Sequence, residues 1–105
     1  MHKFKNLLVW QVSVDLSVEI YKATDNLPSK EKYNLISQIN RAAVSIPSNI
    51  AEGAGRNSPK EFINFLSIAN GSSYELKTQL LIAKTLNFLS ESDYDNLTAQ
   101  INHIQ

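Results

Sequence analysis

Helix-breaking residues constrain this chain more than any other feature of it, because there are so few of them. Three prolines and three glycines are all that its 105 residues contain. Pro28 follows Thr24-Asp25-Asn26-Leu27, a stretch poor in helix formers, so a turn falls there. Gly53 and Gly55 sit in Glu52-Gly53-Ala54-Gly55-Arg56-Asn57 and read as a helix end with a left-handed residue. Ser58-Pro59-Lys60-Glu61 is the strongest local signal: a serine N-cap, proline at the first helical position and glutamate at the third make a capping box. Ser90-Glu91-Ser92-Asp93 breaks the apolar pattern again and offers caps for a last helix. Between these points the apolar residues recur with a helical period. The expected fold is therefore all-α, an up-and-down antiparallel four-helix bundle in one domain over residues 1–105. The helices are expected at about 7–25, 30–53, 59–89 and 93–105.

The first segment imitates a strand, since Val12, Val14, Leu16, Val18 and Ile20 alternate with polar residues. Its length of about nineteen residues argues against this, because strands average ~5–6. No partner strand is visible elsewhere to satisfy its backbone. As a helix it carries two apolar stripes side by side. Val9, Val12, Leu16, Ile20 and Ala23 form one, and Trp10, Val14, Val18 and Tyr21 form the other. A surface helix of a bundle needs an apolar stripe of only ~100° or somewhat more, so the second stripe requires a cover. Self-association is the simplest one, which makes Trp10, Val14, Val18 and Tyr21 the candidate oligomer interface. Burial under loops or under helix 4 is the alternative.

Helix 2 is expected to start near Ser29, with Glu31 at the positive end of its dipole. Its core stripe is Ile36, Ile39, Ala43, Ile46 and Ile50. Pro47 lies within this pattern and removes one backbone hydrogen bond, so helix 2 is expected to kink there or divide in two. On the opposite side Gln38, Arg41, Ser45, Asn49, Glu52 and Arg56 share about a 100° arc of an ideal helix. Helix 3 turns Phe62, Phe65, Leu66, Ala69, Ser73 and Leu76 inward, and Gly71-Ser72-Ser73 would let another helix approach closely. Helix 4 places Tyr94, Leu97, Ile101 and Ile104 on one side. It ends at Gln105, much shorter than helix 3, which leaves room for a longer natural chain.

Composition excludes several function classes. Cysteine is absent, which removes disulfides, thiolate zinc sites and cysteine nucleophiles together. The only two histidines are His2 and His103, far apart in the chain, and no Glu-x-x-His pattern of the kind that di-iron bundles use is present. No cofactor and no metal are expected. Ten basic side chains balance ten acidic ones, so the electrostatic footprint of a strong, sequence-independent nucleic-acid binder is missing. No apolar run reaches the ~18 residues of a membrane span, and no signal-peptide core opens the chain. The expectation is a cytoplasmic protein without membrane contact.

Several blocks resemble one known family. Leu8-Val9-Trp10-Gln11 and Ile20-Tyr21-Lys22-Ala23-Thr24 look like its first helix. The run Gln38-Ile39-Asn40-Arg41-Ala42-Ala43-Val44-Ser45-Ile46-Pro47-Ser48-Asn49-Ile50-Ala51-Glu52-Gly53-Ala54-Gly55-Arg56 looks like its signature. Phe65 to Leu76 completes the likeness, which spans about Phe4 to Leu89. These blocks are similar to bacterial four-helix-bundle proteins named after reading frames in 23S rRNA intervening sequences. The resemblance implies an up-and-down bundle that assembles as a ring of five, with no established enzymatic activity. Some relatives carry a ribosomal-protein-like label. Others are accessory proteins of diversity-generating retroelements, whose basic ring engages a reverse transcriptase and nucleic acid. Where the family commonly has two consecutive basic residues, this chain has Asn40 before Arg41.

The stripe of Arg41, Asn49, Glu52 and Arg56 is the candidate partner-binding site. Its arginines would grasp a phosphate or a partner's carboxylate. The structural alternative is that Arg41 or Asn49 captures the carbonyl freed by Pro47, and an intersubunit salt bridge is a third option. Gly53 to Ser58 leads into a helix N-terminus but lacks the lysine and spacing of a nucleotide-binding loop, so it reads as a turn. Glu61 belongs to the capping box, and Glu75 is expected to pair with a neighbouring helix or face water. Trp10, Tyr33, Phe62 and Phe65 read as core rather than base-stacking aromatics. Lys3, Lys5, Lys30 and Lys32 read as solvated charge. No nucleophile, base or metal constellation points to an enzyme. The expected function is a non-enzymatic, ring-forming interaction module for a protein or ribonucleoprotein partner. Direct RNA or other nucleic-acid binding is the alternative.

Overall fold

The computed structural model describes residues 3–105, and His2 lies outside the described residues. Four helices dominate it: α1 (Leu8–Thr24), α2 (Leu35–Ala54), α3 (Pro59–Thr85) and α4 (Glu91–Ile104). Short 3-10 turns at Phe4–Asn6 and Ser29–Glu31 precede α1 and α2. Each helix packs on the next in sequence, and α4 closes the bundle against α1. Short connections between neighbouring helices make them antiparallel, the up-and-down arrangement. The body measures 44 × 24 × 18 Å.

The core is aliphatic. Leu16, Ile20, Ile39, Ile46, Leu76 and Ile101 are fully buried at its centre. Aromatic side chains stay at its margin, contrary to the expectation that Trp10, Tyr33, Phe62 and Phe65 are core. Trp10, Phe62 and Phe65 are half-buried, and Tyr33 is 89% exposed. Six consecutive residues, Ser29 to Asn34, contain no apolar side chain except Tyr33. With nothing to bury, that stretch gains no packing to sustain a helix, and short unpacked helices are marginal. For this reason α2 starts at Leu35 instead of near Ser29. The backbone leaves helical geometry at Asn34, with φ −128° and ψ −101°.

Pro47, the residue expected to kink or divide α2, does not interrupt it: the helix runs from Leu35 to Ala54 with the proline inside. Lacking an N–H, Pro47 deprives the Ala43 carbonyl of its helical donor. The Ser17 hydroxyl of α1 stands 3.2 Å from that carbonyl oxygen and 2.9 Å from Ser13 O. Neither Arg41 nor Asn49 serves this carbonyl; Asn49 donates instead to Ser45 O at 2.8 Å. One hydroxyl proton is shared between two carbonyls, so this half-buried contact with α1 offsets the missing rung only in part.

The two glycines of the α2–α3 turn do not act as left-handed caps. No glycine has positive φ among the described residues, and Gly55 has φ −78°. Gly53 is instead a packing residue. A Cβ placed on it would stand 2.7 Å from Phe65 Cβ and 3.0 Å from Phe62 Cδ1, so α2 and α3 meet here at a distance only glycine permits. Gly71 is different, since a Cβ there would have nothing within 4 Å. Close approach in that segment comes from buried Ser72 and Ser73.

Ser58 caps α3 by accepting from Glu61 N–H at 3.3 Å. The Glu61 carboxylate stands 3.7 Å from the Arg56 guanidinium. At its other end α3 stops at Thr85, short of the expected Leu89. Asn87 adopts φ 63°, Asn87 N–H bonds Lys84 O at 2.9 Å and Phe88 N–H bonds Ala83 O at 2.8 Å. This is a Schellman termination with asparagine at the left-handed position. Helix α4 begins at Glu91, slightly earlier than expected, because Ser90 Oγ accepts from Asp93 N–H at 3.0 Å.

Candidate interaction surfaces

The polar stripe of α2 divides into three environments. Glu52 and Arg56 pair across one helical turn at 2.6 Å. The Arg56 guanidinium lies 5.1 Å from the centre of the Phe65 ring as well as near Glu61. Arg56 is thus occupied within its own chain, tying the end of α2 to the start of α3. Asn49 donates to both Ser45 O and Ser45 Oγ, and Ser45 Oγ lies 2.8 Å from Ser72 Oγ on α3. It belongs to a half-buried chain of hydrogen bonds between two helices. The Arg41 side chain is exposed and has no hydrogen-bonding or ion-pairing partner among the described residues.

Asn40, beside Arg41, faces α1: its Oδ1 lies 3.1 Å from Thr24 Oγ1. Thr24 is buried at the end of α1, so this bond pins the helix terminus to α2.

The second apolar stripe of α1 lies mostly at the surface. Val18 is 50% and Tyr21 49% exposed, while Val14 is half-buried. Together with Val44 and Pro47 of α2 they line an open, apolar groove of about 390 Å³. Lys22 and Asp25 stand at its rim. Trp10 lies apart from this groove. It packs against the core margin and meets the Phe4 ring edge-to-face, with centroids 5.2 Å apart. Val44 belongs to the face although its place opposite the α2 core stripe hid it in the sequence. Only the docking of α1 on α2 brings it beside Val18.

Helix α3 carries a further apolar surface that the sequence pattern did not single out. Ile63, Tyr74 and Leu81 are exposed along one flank of its outer side, and Ile68, Ile82 and Leu86 along the other. Spacings of eleven and seven on the first flank, and of fourteen and four on the second, gave the signal, but the longer inner stripe masked it. Glu75 lies between Ile68 and Ile82, one heptad from each, and is exposed.

Other polar contacts seal the bundle. Lys77 Nζ reaches Asn102 Oδ1 at 2.9 Å, Gln105 Nε2 donates to Ser73 Oγ at 2.8 Å, and Lys84 lies over the Tyr94 ring at 4.6 Å. Among the described residues no group of three His, Cys, Asp or Glu side chains is placed to hold a metal. No helix formed by them is long and apolar enough to cross a membrane.

The chain is similar to a solved structure described as a protein with unknown function from the S23 ribosomal protein family of Bacteroides thetaiotaomicron VPI-5482. The two share 26% sequence identity with a TM-score of 0.83, over 92% of this chain and 91% of that one. No curated protein matches it. A family model described as 23S rRNA-intervening sequence protein matches residues 5–105. With the bundle and its signature helix in place, the chain belongs to the 23S rRNA-intervening sequence protein family.

Proposed function

We propose that this protein is a non-enzymatic scaffold that assembles with copies of itself into a ring, five by its family resemblance, and presents that ring to a protein or ribonucleoprotein partner in the cytoplasm. The observation that carries this reading is the open apolar groove between α1 and α2, with Val18 and Tyr21 each about half exposed. Contiguous apolar surface of this kind marks an interaction site on a water-exposed bundle. The polar side chains most suited to grasping a ligand, Arg56 and Asn49, are already committed within the chain. Size exclusion coupled to light scattering tests the reading. A pentamer-sized particle at micromolar concentration is expected, and a monomer there overturns it.

Direct nucleic-acid binding is the weaker reading. The family description carries the word rRNA, but the net charge is zero, and of the two arginines of the α2 stripe Arg56 is paired and Arg41 has no partner among the described residues. Strong binding by phosphate neutralisation would fall steeply with salt, by a slope set by the phosphates contacted. A gel-shift titration of a 23S rRNA fragment at low salt should show no such binding.

A further inference from the structure

We propose that the Ile68–Glu75–Ile82–Leu86 flank of α3 seats in the α1–α2 groove of a second copy of this chain, so that the copies join head to tail. The proposal rests on the self-association reading above and adds which surface meets which.

The exposed apolar side chains fall mainly on two surfaces of unlike shape. One is concave, the groove closed on its sides by Val18 of α1 and Val44 of α2. The other is convex, the outside of a helix 27 residues long. Two grooves facing each other would leave their volume unfilled, and two convex flanks facing each other would leave both grooves in water. A helix flank laid in a groove covers both at once, the common mode by which an amphipathic helix is recognised. Because the two surfaces differ, the contact is heterologous and repeats from copy to copy instead of ending at a dimer.

Charge supplies an independent argument. Arg41 lies one turn from Val44 on α2, exposed and unpaired among the described residues. Glu75 stands in the middle of the α3 flank, also exposed and also without an ion-pair partner among them. An acid inside an apolar flank weakens that flank as a docking surface unless a cation meets it. Arg41 is an unpaired cation one turn from the groove-lining Val44, and in the lining itself Lys22 offsets Asp25.

The chain has no cysteine, so disulfide trapping has a clean background. No Cα of α1 lies within 8 Å of one in α3 in the same molecule, beyond the reach of a disulfide, so a link between Val18→Cys and Ile82→Cys joins different copies. The double variant, mildly oxidised and run on a denaturing gel without reductant, should give a ladder of covalent oligomers. Each single variant should stay monomeric on that gel. A covalent dimer from Val18→Cys alone would overturn the head-to-tail pairing, as would a missing ladder while light scattering still shows an assembly. A monomer by light scattering would instead remove the self-association reading itself, and this inference with it. Charge exchange gives a second readout at surface positions. Arg41→Glu or Glu75→Arg alone should raise the dissociation constant of the assembly by about tenfold, and the two together should restore most of it. Additive weakening in the exchanged pair would overturn the contact.

Discussion

Because Pro47 has no N–H, one carbonyl in the middle of α2 depends on a side chain from another helix. The Ser17 hydroxyl is that side chain, its one proton shared between Ala43 O at 3.2 Å and Ser13 O at 2.9 Å. Leaving a buried acceptor unsatisfied costs about 1–3 kcal/mol, so Ser17→Ala should lower unfolding free energy by roughly that amount in a urea titration. In a Pro47→Ala background the restored N–H supplies the partner, and the same substitution should cost markedly less. Equal losses in both backgrounds would separate Ser17 from the proline. The glycines give a second contrast at this scale. At Gly53 a methyl would meet Phe65 Cβ at 2.7 Å, so Gly53→Ala should destabilise by about 1–3 kcal/mol through overpacking. At Gly71 the space is open, so Gly71→Ala should stabilise the isolated subunit by roughly 1 kcal/mol through helix propensity. Composition treats these glycines alike, and only the neighbouring helix tells them apart.

At the scale of elements, the caps were the most legible feature. Ser58 and Ser90 start α3 and α4 because a serine oxygen there satisfies an amide that has no helical acceptor. The start of α2 was misplaced although Ser29 offered a cap, and α4 begins two residues earlier than expected. Leu7 and Asn34 make no side-chain cap bond before α1 and α2, and α2 consequently begins where burial begins. The end of α3 was hidden for a related reason, since the apolar period continues through Phe88 and Leu89 although Asn87 has already turned the chain. Asparagine tolerates the left-handed conformation less well than glycine. Asn87→Gly should therefore raise the melting temperature by about 2–4 °C, and Asn87→Leu should lower it, by thermal circular dichroism. Equal melting temperatures for all three would mean that the termination is set by Leu89 docking and not by the turn.

For the whole molecule the question is which apolar residues hold the subunit and which lie open to others. Trp10 packs against Phe4 and the core margin, whereas Val18 lines the groove and is half in water. Trp10→Ala should therefore lower both melting temperature and assembly, while Val18→Lys should dissociate the assembly and leave the melting of the dilute subunit nearly unchanged. Thermal denaturation and light scattering on the two variants separate these effects. Loss of folding in Val18→Lys would place that residue in the subunit core.

By itself the sequence determined that the chain is helical, that it has four helices, and that Ser58 caps the third. These outcomes rest on periodicity and on hydrogen bonds between near neighbours, and both are local. What became of Pro47, why Gly53 differs from Gly71, and how the α2 stripe separates into a bound arginine, a bound asparagine and a free arginine were decided only when the helices met. So was the pairing of Val18 with Val44 in one groove. Each depends on the distance between side chains remote in sequence, and helical period carries no information about the neighbour a face will find.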